Sequence, residues 1–169
     1  LGVNDRLHLA GQQAAWDIVG HKRRNIMPDL TLGQAQAIVT AALGAARQNS
    51  FKPMVVVVLD ARGAYKALAA EDGTSLKRAE IAHGKAHGAL ALGMGSRAIS
   101  KRAEQQPYFV AAVTHVAGGA LIPVPGGVLI RDVLGTLLGA VGISGDTSDN
   151  DEIAALAGIE AAGLVGETG

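Results

Sequence analysis

The same four-residue turn occurs twice in this chain, and it restricts the fold more than any other feature. Asp60-Ala-Arg-Gly63 follows the apolar run Met54-Val-Val-Val-Val-Leu59 and precedes Ala64–Ala70. Asp132-Val-Leu-Gly135 stands between Gly127–Arg131 and Thr136–Ser144. An aspartate that opens a turn, with glycine supplying a positive φ at its end, joins two strands as a hairpin. Two hairpins of one kind argue for an antiparallel sheet. Four successive valines leave no polar alternation, so their strand is expected to be covered on both faces.

Helical spacing fills the remainder. Thr31-x-x-Gln34 has the spacing of a capping box, and Leu32, Ala35, Ile38, Ala42 and Ala45 recur at helical intervals to about Asn49. Three further helical segments, Ser75–Leu92, Ser96–Gln105 and Pro107–Val116, lie between the hairpins. A last helix is expected from Ser148 to Leu164, capped by Ser148-x-x-Asp151, with Ile153, Leu156, Ala157 and Leu164 as its apolar side. The predicted order is α, β, β, α, α, α, β, β, β, α, an α+β fold with an antiparallel sheet flanked by helices.

At 169 residues the chain suits one domain, expected over residues 27–169. Residues 1–26 read as a helical extension, loosely periodic over 4–23 and carrying the basic run His21-Lys-Arg-Arg24 at its end. The first residue is Leu1, and Met27 is an alternative start. Leu1–Arg6 shows no secretory pattern, so the cytoplasm is the expected compartment.

Charge and composition exclude several classes. Fifteen basic residues balance fifteen acidic ones and aromatics make up 3% of the chain. A nucleic-acid partner is therefore not expected, for want of both excess positive charge and stacking platforms. Absence of cysteine removes disulfides, thiolate metal sites and a cysteine nucleophile. The uncharged stretch between Glu104 and Arg131 is long enough for a bilayer, but His115, Gly118-Gly119 and Pro123-Val-Pro-Gly-Gly127 break it into a helix, a turn and a strand. No membrane partner is expected. With 23 glycines and a core of small side chains, burial per residue is low, and self-association is expected to add to it.

Chemistry concentrates on the helix from Ser75. At about 100° per residue, Leu76, Glu80, His83, His87, Leu90 and Met94 share one side, and Ala79, Ala82, Ala86, Ala89 and Gly93 share an adjacent one suited to close packing. Histidines four apart can share a divalent metal, with Glu80 completing the set. The same edge can give a histidine, or Met94, to a haem iron, with His115 in reserve. Imidazoles also serve as acid and base near neutrality. Two half-exposed histidines on an amphipathic helix would account for the spacing equally well. Lys85 lies about 160° from both histidines, so it is either solvated or turned toward a different pocket. Ser144–Glu152 imitates a calcium loop but carries Asp151 where glycine is needed and Ala157 where the template has glutamate. Gly93-Met-Gly95 follows a helix and lacks a third glycine, so it is no dinucleotide fingerprint.

Several ordered pieces resemble the GlcG/HbpS-like family, also called haem-degrading domains. They are Leu30-Thr-Leu-x-x-Ala-x-x-Ile38, the Val55–Asp60 strand with Gly63, Ile81-Ala-His-Gly-Lys-Ala86, Gly118-Gly-Ala-Leu-Ile-Pro123, Pro125-Gly-Gly-Val-Leu-Ile-Arg-Asp132 and Gly139-Ala-Val-Gly-Ile-Ser-Gly145, followed by Asp151-Glu152. They extend over Leu30–Leu164. The resemblance implies a profilin- or PAS-like sheet with flanking helices, and compact homo-oligomers, often octamers. Members include haem-binding sensors and the haem-binding C-terminal domain of PduO-type proteins, while others are encoded beside catabolic enzymes. Members more often carry other residues where this chain has His83 and His87, whereas Lys85 and Pro125-Gly-Gly127 follow the shared pattern and are expected near a common pocket.

Three functions follow as expectations. The first is haem binding for storage, sensing or transfer, through His83 or His87. The second is a lyase or isomerase for a small carboxylic acid, with His83 and His87 as acid and base, a divalent metal as a possible aid, and Lys85, Arg131 or the Gly126-Gly127 backbone holding the substrate. The third is a non-catalytic oligomeric subunit.

Overall fold

The computed structural model describes residues 29–169. The valine run forms β1 (Val55–Asp60), buried along its whole length. Val56 and Val58 face one layer of the protein and Val55, Val57 and Leu59 the other, as a strand covered on both faces requires. Its hairpin partner is β2 (Tyr65–Ala70). At the turn, Asp60 Oδ1 accepts the N–H groups of Arg62 and Ala64, and Gly63 takes a φ of +82°. The second hairpin joins β3 (Gly127–Arg131) to β4 (Leu137–Ser144). There Asp132 Oδ1 accepts from Leu134 and Thr136, and Gly135 has a φ of +86°. The two turns share one mechanism.

The strands form an open five-stranded antiparallel sheet in the order β2-β1-β4-β3-β5. Helices α1 (Leu32–Gln48) and α5 (Ser148–Ala161) cover one face, burying Ala35, Ile38, Ala42 and Ala46 against Ala154, Ala155 and Ile159. Thr31 and Gln34 close the expected capping box. Helix α2 (Arg78–Leu92) covers the other face. Helices α3 (Ser96–Gln105) and α4 (Pro107–Val116) build a smaller cluster of Ile99, Val110 and Leu121. The α+β architecture expected from the sequence is therefore present. No described helix is long and apolar enough to cross a membrane.

Four local expectations are corrected. The last strand, β5 (Val165–Glu167), follows α5 instead of preceding it, and pairs with β3. The cap of α5 is Thr147, whose hydroxyl accepts the N–H of Asn150, while Ser148 is already helical. Ile153 and Leu156 point outward; small residues face the core, because Gly158 meets the Ile38 carbonyl so closely that a Cβ would lie 2.6 Å from its oxygen. In α1, Leu32 is exposed and Ala46, not Ala45, completes the buried stripe. The extension over residues 1–26 and its basic run lie outside the described residues.

Helix α2 is gripped from two sides. Beneath it, a Cβ at Gly142 would lie 1.9 Å from the Ala82 carbonyl oxygen, and one at Gly127 would lie 2.3 Å from that of Lys85. Glycines in β4 and β3 thus bring helix and sheet backbones together. On the outer side, Leu121 and Ile122 press on Gly88 and Gly84, and the Ile122 N–H donates to the Gly84 carbonyl at 3.1 Å. Alanine and glycine occupy both gripped sides. The side left less covered carries His83 and His87.

Candidate functional site

On that side three rings form a stack. His83 lies between Tyr65 of β2, with centroids 5.1 Å apart, and His87, 5.4 Å away. Both histidines are half-buried. Burial, and then the charge His87 would carry, hold His83 below the ordinary histidine value of 6.5. At pH 7 His83 is therefore neutral.

His87 is oriented from outside its helix. Its Nδ1 lies 2.8 Å from the carbonyl oxygen of Ala120. A carbonyl only accepts, so Nδ1 carries the hydrogen and donates it. The neutral ring then has its lone pair on Nε2, which has no protein partner among the described residues. The first hairpin turn also approaches this ring: a Cβ at Gly63 would stand 3.7 Å from His87 Cδ2. Two segments distant in sequence, the loop carrying Ala120 and the first hairpin turn, thus flank one imidazole.

Across the helix, Lys85 is one of the largest fully buried side chains. Its Nζ donates to Asp151 Oδ2 at 2.7 Å, with 2% and 1% of the two side chains exposed. Asp151 Oδ1 accepts the N–H of Asp146. Burial pushes Lys85 below its ordinary value and Asp151 above its own, each opposed by attraction to the other. Gly126 closes over the pair, since a Cβ there would lie 2.9 Å from Asp151 Cβ and 3.0 Å from Lys85 Nζ. Ser96 Oγ accepts the N–H of Gly127 at 2.7 Å. Beside them, Arg97 Nε holds Glu152 Oε1, leaving the buried Oε2 without a partner among the described residues. Of the two positions open to Lys85, solvated or inward, the structure shows the inward one.

Comparison with known proteins now bears on this arrangement. The family profile described as "Haem degrading protein HbpS-like" matches residues 30–160. The chain belongs to this family. Among solved structures, it resembles a PduOC:heme complex at 25% identity and a TM-score of 0.73, over 82% of this chain and 98% of that one. It resembles HbpS at 25% identity and a TM-score of 0.69, over 80% and 92%. The Klebsiella pneumoniae protein ORFY shares the fold at 22% identity and a TM-score of 0.74, over 85% and 97%. No curated protein matches the chain.

In this HbpS-like chain the other residues singled out by sequence are dispersed. Glu80 is exposed and bound to Lys77, a contact that holds its carboxyl below the usual range. Among the described residues no three histidine, aspartate or glutamate side chains converge as a metal set, so Glu80 does not complete one with His83 and His87. Met94 lies past the left-handed cap at Gly93 and packs against the cluster between α3 and α4. His115 is exposed on α4. Leu76 is exposed ahead of α2. Arg131 stands at the opposite end of β3 from Gly127, held by Glu167 and the Gly135 carbonyl. Gly126 and Gly127 therefore accompany Lys85, not Arg131.

Sequence reading missed Tyr65, the Ala120 carbonyl, and Asp151 as the partner of Lys85. Tyr65 follows the first turn directly, and that position was its one visible signal. A backbone carbonyl gives no signal at all.

Proposed function

We propose that this HbpS-like protein binds haem and that His87 Nε2 ligates the iron. The observation that carries the reading is the bond from His87 Nδ1 to the Ala120 carbonyl. Histidines that bind metal ordinarily give their other N–H to such an acceptor, which fixes the ring and raises its basicity. The donor set also suits haem better than a bare divalent ion. One oriented imidazole with no third ligand makes a poor metal cage, whereas a porphyrin brings four nitrogens and asks the protein for an axial ligand. Bound haem would supply a redox-active iron. The PduOC neighbour is a haem complex, which agrees with this reading.

The chain's own residues have distinct tasks. The Ala120 carbonyl holds the His87 proton on Nδ1, and neutral His83, stacked between Tyr65 and His87, would brace the ligating ring. The outer side of this surface is open, with Tyr65 60% exposed. A second copy of the chain covers it in our reading, consistent with an oligomer such as the octamers of the family. Use of the histidines on a small acid meets an obstacle, because Lys85 is engaged by Asp151 and Arg131 by Glu167.

Haemin titration followed at the Soret band tests the proposal. A saturable shift is expected in the wild type, lost in His87→Ala and kept, though weakened, in His83→Ala. A shift unchanged in His87→Ala, or no specific shift together with about one tightly held divalent metal per chain, would overturn it.

A further inference from the structure

We propose that the cavity between the N-terminus of α2 and the turn after β4 binds a small oxyanion, a carboxylate or a phosphate. This cavity of about 220 Å³ is lined by Lys52, Thr74, Ser75, Arg78 and Gly145, among others. A space of this size admits a short organic acid or a phosphate. Arg78 lies nine residues before His87, hence about 180° round the helix, so the cavity is separate from the histidine surface.

Arg78 differs from every other described arginine. Arg47, Arg62, Arg97 and Arg131 each pair with a carboxylate, and Arg102 lies over the Phe109 ring at 4.0 Å. Arg78 donates only to the Ser144 hydroxyl, at 3.1 Å, and no described carboxylate pairs with it. That one bond uses Nη1 and aims the guanidinium, leaving most of its donor fork for a ligand. A planar fork of this kind matches a carboxylate or phosphate with two parallel bonds. Lys52 adds a second positive charge, and Thr74 and Ser75 add hydroxyls. The acidic groups nearby are already engaged: Asp146 accepts the backbone N–H groups of Lys52 and Thr147, and Glu71 pairs with Arg47 and accepts the Met54 N–H. Gly145, also in the lining, sits close against the backbone of Pro53: a Cβ there would lie 2.4 Å from the Pro53 carbonyl oxygen. The positive end of the α2 dipole adds to the field without making the site by itself.

Calorimetric titration of the full chain with inorganic phosphate, and separately with succinate, tests the site, with sodium chloride at matched ionic strength as reference. Saturable binding of at least one probe is expected. It should weaken about tenfold in Arg78→Gln and about threefold in Lys52→Gln, and remain unchanged in His87→Ala. Preference between the probes then says whether the natural ligand is a phosphate or a carboxylate. Should Arg78→Gln fail to fold, Arg78→Lys keeps the charge and loses the fork, and still binds more weakly than wild type. Amide shifts in the wild type on adding either probe should concentrate at Gly73 and Gly145 and spare Gly63. No saturable binding of either probe, a response reproduced by chloride, or equal binding in wild type and Arg78→Gln would overturn the proposal.

Discussion

Lys85 and His87 stand two residues apart on one helix and receive opposite treatment from the fold. Lys85 is sealed beneath the helix, its ammonium facing a buried carboxylate and glycine closing over both. His87 is half-open, with one ring nitrogen committed to a carbonyl and the other unpaired among the described residues. A buried charge pair of this kind is a structural element whose partners answer each other, and breaking it costs more than its presence gains. An imidazole fixed at Nδ1 and, among the described residues, unpaired at Nε2 suits the ligand role proposed above. The contrast sets a sealed structural pair beside the imidazole proposed above as a ligand.

The most severe way to break the contrast is Lys85→Met, which leaves Asp151 buried without its cation. Urea denaturation should show a loss of about 3–5 kcal/mol. Adding Asp151→Asn should recover most of it, because no naked charge remains. If Lys85→Met is as stable as wild type, the pair is not the structural element described here.

Gly142→Ala comes next. The added Cβ would meet the Ala82 carbonyl oxygen at 1.9 Å, so α2 must lift from the sheet. A cost of about 1–3 kcal/mol is expected, together with weaker haemin binding, since both histidines ride on that helix. Unchanged stability would show that the helix does not depend on this close approach.

A smaller effect sharpens the histidine side. His83 is held below 6.5 in the folded protein by burial and by the neighbouring His87 charge. The unfolded chain therefore takes up this proton first as pH falls. The stability that neutral His83 contributes is complete above pH 6.5 and is lost as pH falls through the lowered folded value. Denaturation curves for wild type and His83→Leu should diverge in that window, the variant showing the flatter pH dependence. Parallel curves would mean that His83 titrates alike in both states.

The fold was legible wherever one residue type performs a local task. Asp60 with Gly63 and Asp132 with Gly135 announced their turns because carboxylate capping and positive φ are local needs. The valine run announced a doubly covered strand, and Thr31 with Gln34 announced a cap. Features set by tertiary packing were less legible. Gly158 permits α1 and α5 to touch, which turned Ile153 and Leu156 outward against the apolar pattern. The short strand β5 is defined by its pairing with β3, and nothing in Val165–Glu167 marks it.

The site divided in the same way. Helical spacing put His83 and His87 on one side and Lys85 on another, and the structure agrees. Periodicity cannot show that Asp151, 66 residues away, awaits Lys85, or that a carbonyl of the 117–126 loop holds His87. Met94 illustrates the limit of the pattern: its angular position was right for a helix, but the helix stops at Gly93.

The free nitrogen of His87 is the point on which the account rests, and it can be observed directly. Long-range ¹H–¹⁵N correlation spectra of the histidine side chains at neutral pH report which ring nitrogen carries the proton. The account expects the proton of His87 on Nδ1, with Nε2 bearing the lone pair and its resonance perturbed when haemin is added. A His87 ring whose neutral tautomer carries its proton on Nε2 would contradict it.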